Sequence, residues 1–219
     1  MQQMKLLQSL YQQRALGYRY FDDIKSVPFE NSDISDMPST LPDLQTYLSD
    51  CSLCNLSKSR KHIVFGEGNP QADIMFVGEG PGELEDNSGR PFIGRSGELL
   101  TRIIENVLML RREDVYIANI VKCRPSANRA PTEEEADKCK PFLIKQIEIV
   151  KPKIIIALGA TSYSYLTGDM NAKISRVRGE MINFGTSKLM PTFHPSYLLR
   201  NPSAKREVMS DMLKVKAIL

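Results

Sequence analysis

The most specific chemical signal in the chain is its cysteines. There are four: Cys51 and Cys54 in a C-x-x-C pair, then Cys123 and Cys139, with none left over. Four thiolates make a complete ligand set for one metal site, and zinc and an iron-sulfur cluster satisfy this pattern equally well. A structural disulfide is the least favoured use, because nothing at the amino terminus reads as a secretory signal and a reducing cytosol keeps thiols free. The second signal is the glycine-rich stretch Gly78–Gly97, GEGPGELEDNSGRPFIGRSG. Its glycines leave backbone N–H groups open to a ring or a phosphate. Its carboxylates, Glu79, Glu83, Glu85 and Asp86, repel a phosphate, so chemistry beside a base or sugar suits it better. Dinucleotide and triphosphate loops are disfavoured: Glu83 stands where G-x-G-x-x-G needs its third glycine, and no G-x-x-x-x-G-K-[ST] occurs.

Two lone residues add to these. Asn119 lies near the end of an apolar run, where an amide is either a turn former or a reader of a flat polar edge, since it offers donor and acceptor side by side. His194, one of two histidines, opens HPSYLLRNP, which sets Tyr197, Leu198, Leu199 and Arg200 between prolines. An apolar wedge beside a cation is what entry into a duplex base step requires.

Strands and helices must bring these residues together. Ile74–Val77, Val115–Ile120 and Lys153–Gly159 read as strands. Glu180–Phe184 and Lys188–Phe193 read as shorter ones, the last confined by Pro191 to an edge or a strand end. The stretch Gly78–Gly97 reads as one long loop, followed by a helix from about Gly97 to Leu110 that closes on Arg111 and Arg112. Thr132 and Glu135 form a capping box for a helix that Pro141 kinks or splits, and further helices cover Ala160–Leu166 and Lys205–Ile218. Such alternation predicts a parallel sheet covered on both faces, with the candidate residues at strand carboxyl ends, where open α/β sheets bind ligands. Residues 2–21 predict a helix and Asn31–Pro42 a linker, which makes residues 1–40 an appendage to a domain over 41–219.

Composition narrows the partners. A net charge of +3 is too mild to imply nucleic acid on its own. Its distribution says more: Ala172–Leu219 holds nine Lys and Arg against three Asp and Glu, whereas residues 1–50 hold four against seven. That asymmetry points to a basic face near the carboxyl terminus. No run approaches the ~18 apolar residues of a membrane span, so a cytoplasmic protein without membrane contact is expected.

Together these motifs resemble the family 4 uracil-DNA glycosylases, the iron-sulfur branch of the uracil-DNA glycosylase superfamily. The resemblance covers Leu41–Leu219 and rests on GEGPGELED, GRPFIGRSG, NIVKCRP, HPSYLLRNP and the four cysteines. It implies a three-layer αβα fold around a central, mostly parallel four-stranded sheet. It also implies a structural 4Fe-4S cluster held by Cys51, Cys54, Cys123 and Cys139. The implied activity is hydrolysis of the N-glycosidic bond of uracil in single- or double-stranded DNA, by a monomer acting in base-excision repair. By the same resemblance Phe92 would stack on a flipped uracil, the backbone at Glu79 and Gly80 would bind its edge, and Asn119 would read O4 and N3–H. His194 would stabilise charge on O2, while Glu79 would favour the cationic sugar or orient water, helped by Glu85. Leu198, Leu199 and Arg200 would fill the gap in the duplex, and Ser196, Lys205 and Arg206 would contact phosphates. Only NSGRP separates Asp86 from Phe92, without the insertion of the branch that forms a covalent adduct, which implies a true hydrolase. The alternatives are a non-catalytic iron-sulfur DNA-binding module of the same fold, against which Glu79, Asn119 and His194 speak, and a glycosylase for another deaminated base.

Overall fold

The structure is a computed structural model that describes residues 36–219. The helix expected over 2–21, and the linker as far as residue 35, lie outside the described residues. Leu41–Leu48 forms α1, capped by the Thr40 hydroxyl, which accepts the Asp43 N–H at 3.3 Å. After the C-x-x-C segment come β1 (Glu67–Gly68) and β2 (Ile74–Gly78).

The glycine-rich stretch is not one loop. It winds into α2 (Glu83–Ser88) and opens α3 (Arg95–Ile103) before the expected Gly97. Glu85 makes this possible, because its carboxylate accepts from Gly82 N–H at 3.1 Å and from Ile93 and Gly94 N–H at 3.0 Å each. One buried side chain thus pins both turns of a stretch that would otherwise be slack. Beyond α3 the chain continues through a wider π-type turn at Ile104–Leu108, which Met109 closes at φ 60°. Arg111 and Arg112 therefore lie past the helix end. Arg112 instead reaches Glu67 at 2.7 Å, Thr101 Oγ1 at 2.9 Å and the Pro91 carbonyl at 2.7 Å, which ties the site-bearing stretch to β1.

Next come β3 (Tyr116–Asn119), α4 (Glu133–Val150), β4 (Ile154–Leu158), α5 (Ala160–Thr167) and α6 (Ile174–Val177). The capping box is formed as expected, with Thr132 N–H donating to Glu135 at 2.8 Å and Glu135 N–H to the Thr132 hydroxyl at 3.3 Å. Pro141 does not split α4, which runs for 18 residues. Its buried face, from Ala136 to Ile147, packs on the sheet and outweighs the roughly 3 kcal/mol that an interior proline costs. A hairpin of β5 (Ile182–Phe184) and β6 (Ser187–Thr192) leads to α7 (Pro195–Arg200) and α8 (Lys205–Lys216).

The sheet has six strands in the order β1-β3-β2-β4-β6-β5. Four of them, β3, β2, β4 and β6, are parallel, and these are the expected four-stranded sheet. Antiparallel β1 and β5 extend it at the two edges. The two residues of β1 are too few to show any period in the sequence. β6 is interior rather than an edge, and Pro191 sits beyond Leu189, its last residue paired with β5, where a missing donor is tolerated. Alternate residues of the buried strands face opposite layers. Met75, Val77, Ile155 and Ala157 join the cluster containing α1 and α4, while Ile74, Phe76, Ile154 and Ile156 join the one containing α3 and α8. The result is a three-layer αβα fold in which Gly78, Asn119, Leu158 and Thr192 share one carboxyl edge. No helix among the described residues is long and apolar enough to cross a membrane.

Gly97 is where α3 presses on the backbone of Phe92, so that a Cβ there would overlap the Phe92 carbonyl. Gly97→Ala is expected to cost at least about 1–3 kcal/mol. Gly185→Ala, at φ +55° but with open space around it, should cost only about 1–2 kcal/mol of backbone strain. Urea unfolding midpoints compare the two, and a smaller loss for Gly97→Ala than for Gly185→Ala would contradict this packing.

Candidate active site

The shared carboxyl edge of the parallel strands opens into a cavity of about 390 Å³. Eight of the expected site residues line it: Glu79, Gly80, Glu85, Phe92, Asn119, His194, Ser196 and Arg200. Asn119 ends β3, opposite Gly78 at the end of β2, and is buried. Its Oδ1 is a buried side-chain acceptor without a hydrogen-bond partner among the described residues. An unpaired acceptor of this kind costs about 1–3 kcal/mol, a cost that a donor placed in the cavity would relieve. A Cβ at Gly78 would strike both this oxygen and the Phe92 ring, which explains the glycine: only a bare backbone lets amide and ring converge. Phe92 itself is buried at φ 51°, a strained conformation held by Gly97 behind it. Its ring centroid is 5.7 Å from that of His194.

His194 is the residue before α7, and its side chain caps that helix. The Ser196 N–H donates to Nδ1 at 3.1 Å, with the Ser196 hydroxyl 2.8 Å from the same nitrogen. Nδ1 is thereby an acceptor, and the neutral ring carries its proton on Nε2. Burial, with the Arg200 guanidinium adding to it, pushes the imidazole down to about 4, against a smaller opposing pull from Glu85. The ring is therefore a neutral N–H donor at physiological pH. Gly159, at φ +91°, brings the start of α5 against the His194 Cβ.

The carboxylates divide. Glu79 stands half-buried on the cavity wall, and its carboxylate takes part in no hydrogen bond or ion pair among the described residues. Glu85 is buried and committed to the backbone of Gly82, Ile93 and Gly94, so it shapes the site. Similarly, the expected phosphate contact Ser196 spends its hydroxyl on His194.

The expected wedge is corrected in part. His194 opens a short helix rather than a loop, and this puts Leu198 in the core at 1% exposure. Leu199 and Tyr197, each 38% exposed, project from α7 instead. Tyr197 stacks on Phe193 at 4.7 Å, and the Arg178 guanidinium lies over the Phe193 ring, so the helix is braced from below. Lys205 and Arg206 are exposed at the start of α8 but do not line the cavity. The sequence reading missed Asn128 and Arg129, which also line the cavity, Arg129 being paired with Glu135 at 2.7 Å. The segment RPSANRAP was legible only as a loop: Asn128 is a residue type that tolerates its positive φ of 54°, but the same φ at Ala127 has no marker in the sequence.

The four thiols line a second, smaller cavity between α1, the loop after β3 and α4. Arg60, Lys122 and Lys138 also line it, and no carboxylate does. The Lys122 N–H donates to Cys139 Sγ at 3.3 Å and Arg60 Nη1 to Cys123 Sγ at 3.6 Å. Burial pushes the Cys139 thiol up to about 12 and raises Cys123 as well, so thiolates here require a cationic or metal partner. Among the described residues no three His, Cys, Asp or Glu side chains converge as on a single metal ion.

Comparison with known proteins follows the same lines. The model of the uracil DNA glycosylase superfamily matches residues 65–214. A type-4 uracil-DNA glycosylase of Thermotoga maritima is 51% identical over 172 residues, covering 77% of this chain and 89% of that one. Another from Saccharolobus solfataricus is 49% identical over 176 residues, 77% of this chain and 82% of the other. One from Sulfurisphaera tokodaii is 43% identical over 175 residues, with 77% and 80% covered.

The imidazole of His194 should titrate near 4 by NMR, well below an ordinary histidine. Since the unfolded chain binds this proton near 6.5 and the folded one near 4, stability should fall as pH drops through that window. A His194 resonance that titrates near 6.5 would overturn the neutral donor.

Proposed function

The chain belongs to the uracil DNA glycosylase superfamily, and from that premise we propose how it hydrolyses the N-glycosidic bond of uracil in DNA to leave an abasic site. The observation that carries the reading is the unpaired, buried Asn119 Oδ1 in a cavity walled by Phe92 and His194. A target inside a duplex is out of reach, so the nucleotide turns out of the stack and enters the cavity. There the Phe92 ring packs on the base. Asn119 Oδ1 accepts from uracil N3–H, and its amide N–H donates to O4. Cytosine reverses both roles and leaves two buried groups unpaired, which rejects it strongly.

Cleavage sends the electron pair of the C1′–N1 bond into the base, and the oxygen of water forms the new bond to C1′. Charge gathers on uracil O2, where the Nε2–H of His194 donates to it. A neutral donor needs no protonation step and acts as a preorganised oxyanion partner. Glu79, with no competing contact, faces the sugar side, favours its cationic character and orients the water. The proton released by water leaves through this carboxylate to solvent. None of the described residues lining the cavity is a lysine, so no amine competes with water for C1′. Leu199, with Tyr197 beside it, fills the gap in the stack, and Arg200 meets the backbone phosphates next to it.

Cys51, Cys54, Cys123 and Cys139 would hold a 4Fe-4S cluster. The fit is supported by a full set of thiols round one cavity, by N–H donors aimed at sulfur and by cationic walls. When bound, the cluster supplies a cross-link between the segment before β1, the loop after β3 and α4, and takes no part in bond cleavage.

Two sets of variants test this reading on oligonucleotides bearing one uracil. His194→Ala should lower kcat by about 10²–10³-fold, the cost of one lost oxyanion donor, with KM little changed. Asn119→Leu should lose the preference for uracil over cytosine; retained preference would remove Asn119 from the reading. Leu199→Ala should weaken activity on duplex more than on single-stranded substrate at unchanged stability. Leu198→Ala should instead destabilise the fold by about 2–5 kcal/mol, and equal stability of the two variants would reverse the assignment.

A further inference from the structure

Lys122 is 1% exposed, and an ammonium in that position requires strong compensation. Its Nζ donates to the Asn119 carbonyl at 2.9 Å and to Gln146 Oε1 at 2.5 Å, both neutral oxygens. Gln146 is also fully buried, and its amide nitrogen donates to the Phe65 carbonyl and the Tyr116 hydroxyl, which fixes Oε1 towards the lysine. No carboxylate pairs with Lys122 among the described residues. Its backbone N–H meets Cys139 Sγ at 3.3 Å, and the residue is among those that line the thiol cavity. Neutral thiols would leave the ammonium without any counter-charge, whereas a thiolate-held cluster of net negative charge supplies one.

We propose that Lys122 is the buried counter-ion of the four-cysteine site and the positioning residue that joins it to Asn119. The inference rests on the iron-sulfur reading above. The same ammonium that answers the thiolates grips the carbonyl of the residue whose amide reads the base. Charge at the cysteines and geometry in the cavity therefore share one side chain. Lys122 touches neither substrate nor the reacting atoms.

The test uses full-length holoprotein as wild type, Lys122→Met, Lys122→Arg and Gln146→Met. Iron and sulfide content, the visible spectrum, the cluster's midpoint potential and uracil kinetics are measured on each. Removing a cation beside the cluster disfavours its reduced state, so K122M should shift the potential to more negative values, while K122R and Q146M stay near wild type. K122M should also lower kcat/KM for uracil on the order of tenfold through Asn119. If K122M takes up no iron while K122R does, the counter-ion role is equally supported. A K122M protein with a full cluster at unchanged potential overturns the inference, and so does failure of K122M and K122R alike, which would make the site's need one of shape. Wild-type protein purified without iron would instead overturn the cluster reading on which the inference stands.

Discussion

Burying an amide oxygen without a partner costs about 1–3 kcal/mol, and this molecule carries that cost at Asn119. Much of the site exists to keep the oxygen where it is. Gly78 removes the Cβ that would push the amide away from Phe92, and Gly97 removes the one that would push Phe92 out of place. Glu85 ties the turns on either side of α2 by three backbone hydrogen bonds. Without them the amide could swing to water and satisfy itself, and a base would then have to displace that water. In the proposed reading the unpaired state is a form of preorganisation: the penalty is present in the free protein and would be relieved by the base.

His194 follows the same logic in charge rather than in hydrogen bonding. A protonated imidazole would be a stronger donor to a developing anion, yet in the proposed reaction it would repel the cationic sugar that Glu79 would favour. Burial and Arg200 keep the ring neutral, and Ser196 decides which nitrogen carries the proton. The donor is thus fixed in orientation by α7, the same short helix that presents Leu199 and Tyr197 at the surface. In the proposed reaction, insertion into DNA and stabilisation of the leaving base would be mechanically linked, since both would depend on six residues of helix capped by His194.

What was legible in the sequence is what repeats or what is chemically rare. Ile74–Val77 and Ile154–Leu158 announce buried parallel strands because both of their faces are covered, and Thr132 with Glu135 announces a helix start because the two side chains exchange hydrogen bonds locally. Four cysteines without a remainder announce that they come together, and they line one cavity. Features set by long-range contacts left no such mark. Leu198 and Leu199 are indistinguishable as neighbours in the chain, and only the rotation of α7 against the core buries the first and exposes the second. Glu85 has the composition of a catalytic acid and the contacts of a structural clasp. Lys122 looks like any surface charge until Gln146, 24 residues on, is folded against it.

The short distance along the chain from Asn119 to Cys123 has a mechanical consequence. Past the end of β3 the pairing continues, Ile120 N–H to the Gly78 carbonyl at 2.9 Å and Val121 N–H to that of Glu79 at 3.1 Å. This segment is therefore zipped to the backbone of the cavity floor before it reaches the thiols. Its far end carries Cys123, and Lys122 ties it inward at Asn119 and Gln146. A segment held at both ends and along its length has little freedom to shift by the ångström that would ruin a hydrogen bond to a base. The cluster proposed for the four cysteines would lie away from the reacting atoms and would still bear on specificity, because it would fix one end of the strap whose other end carries Asn119.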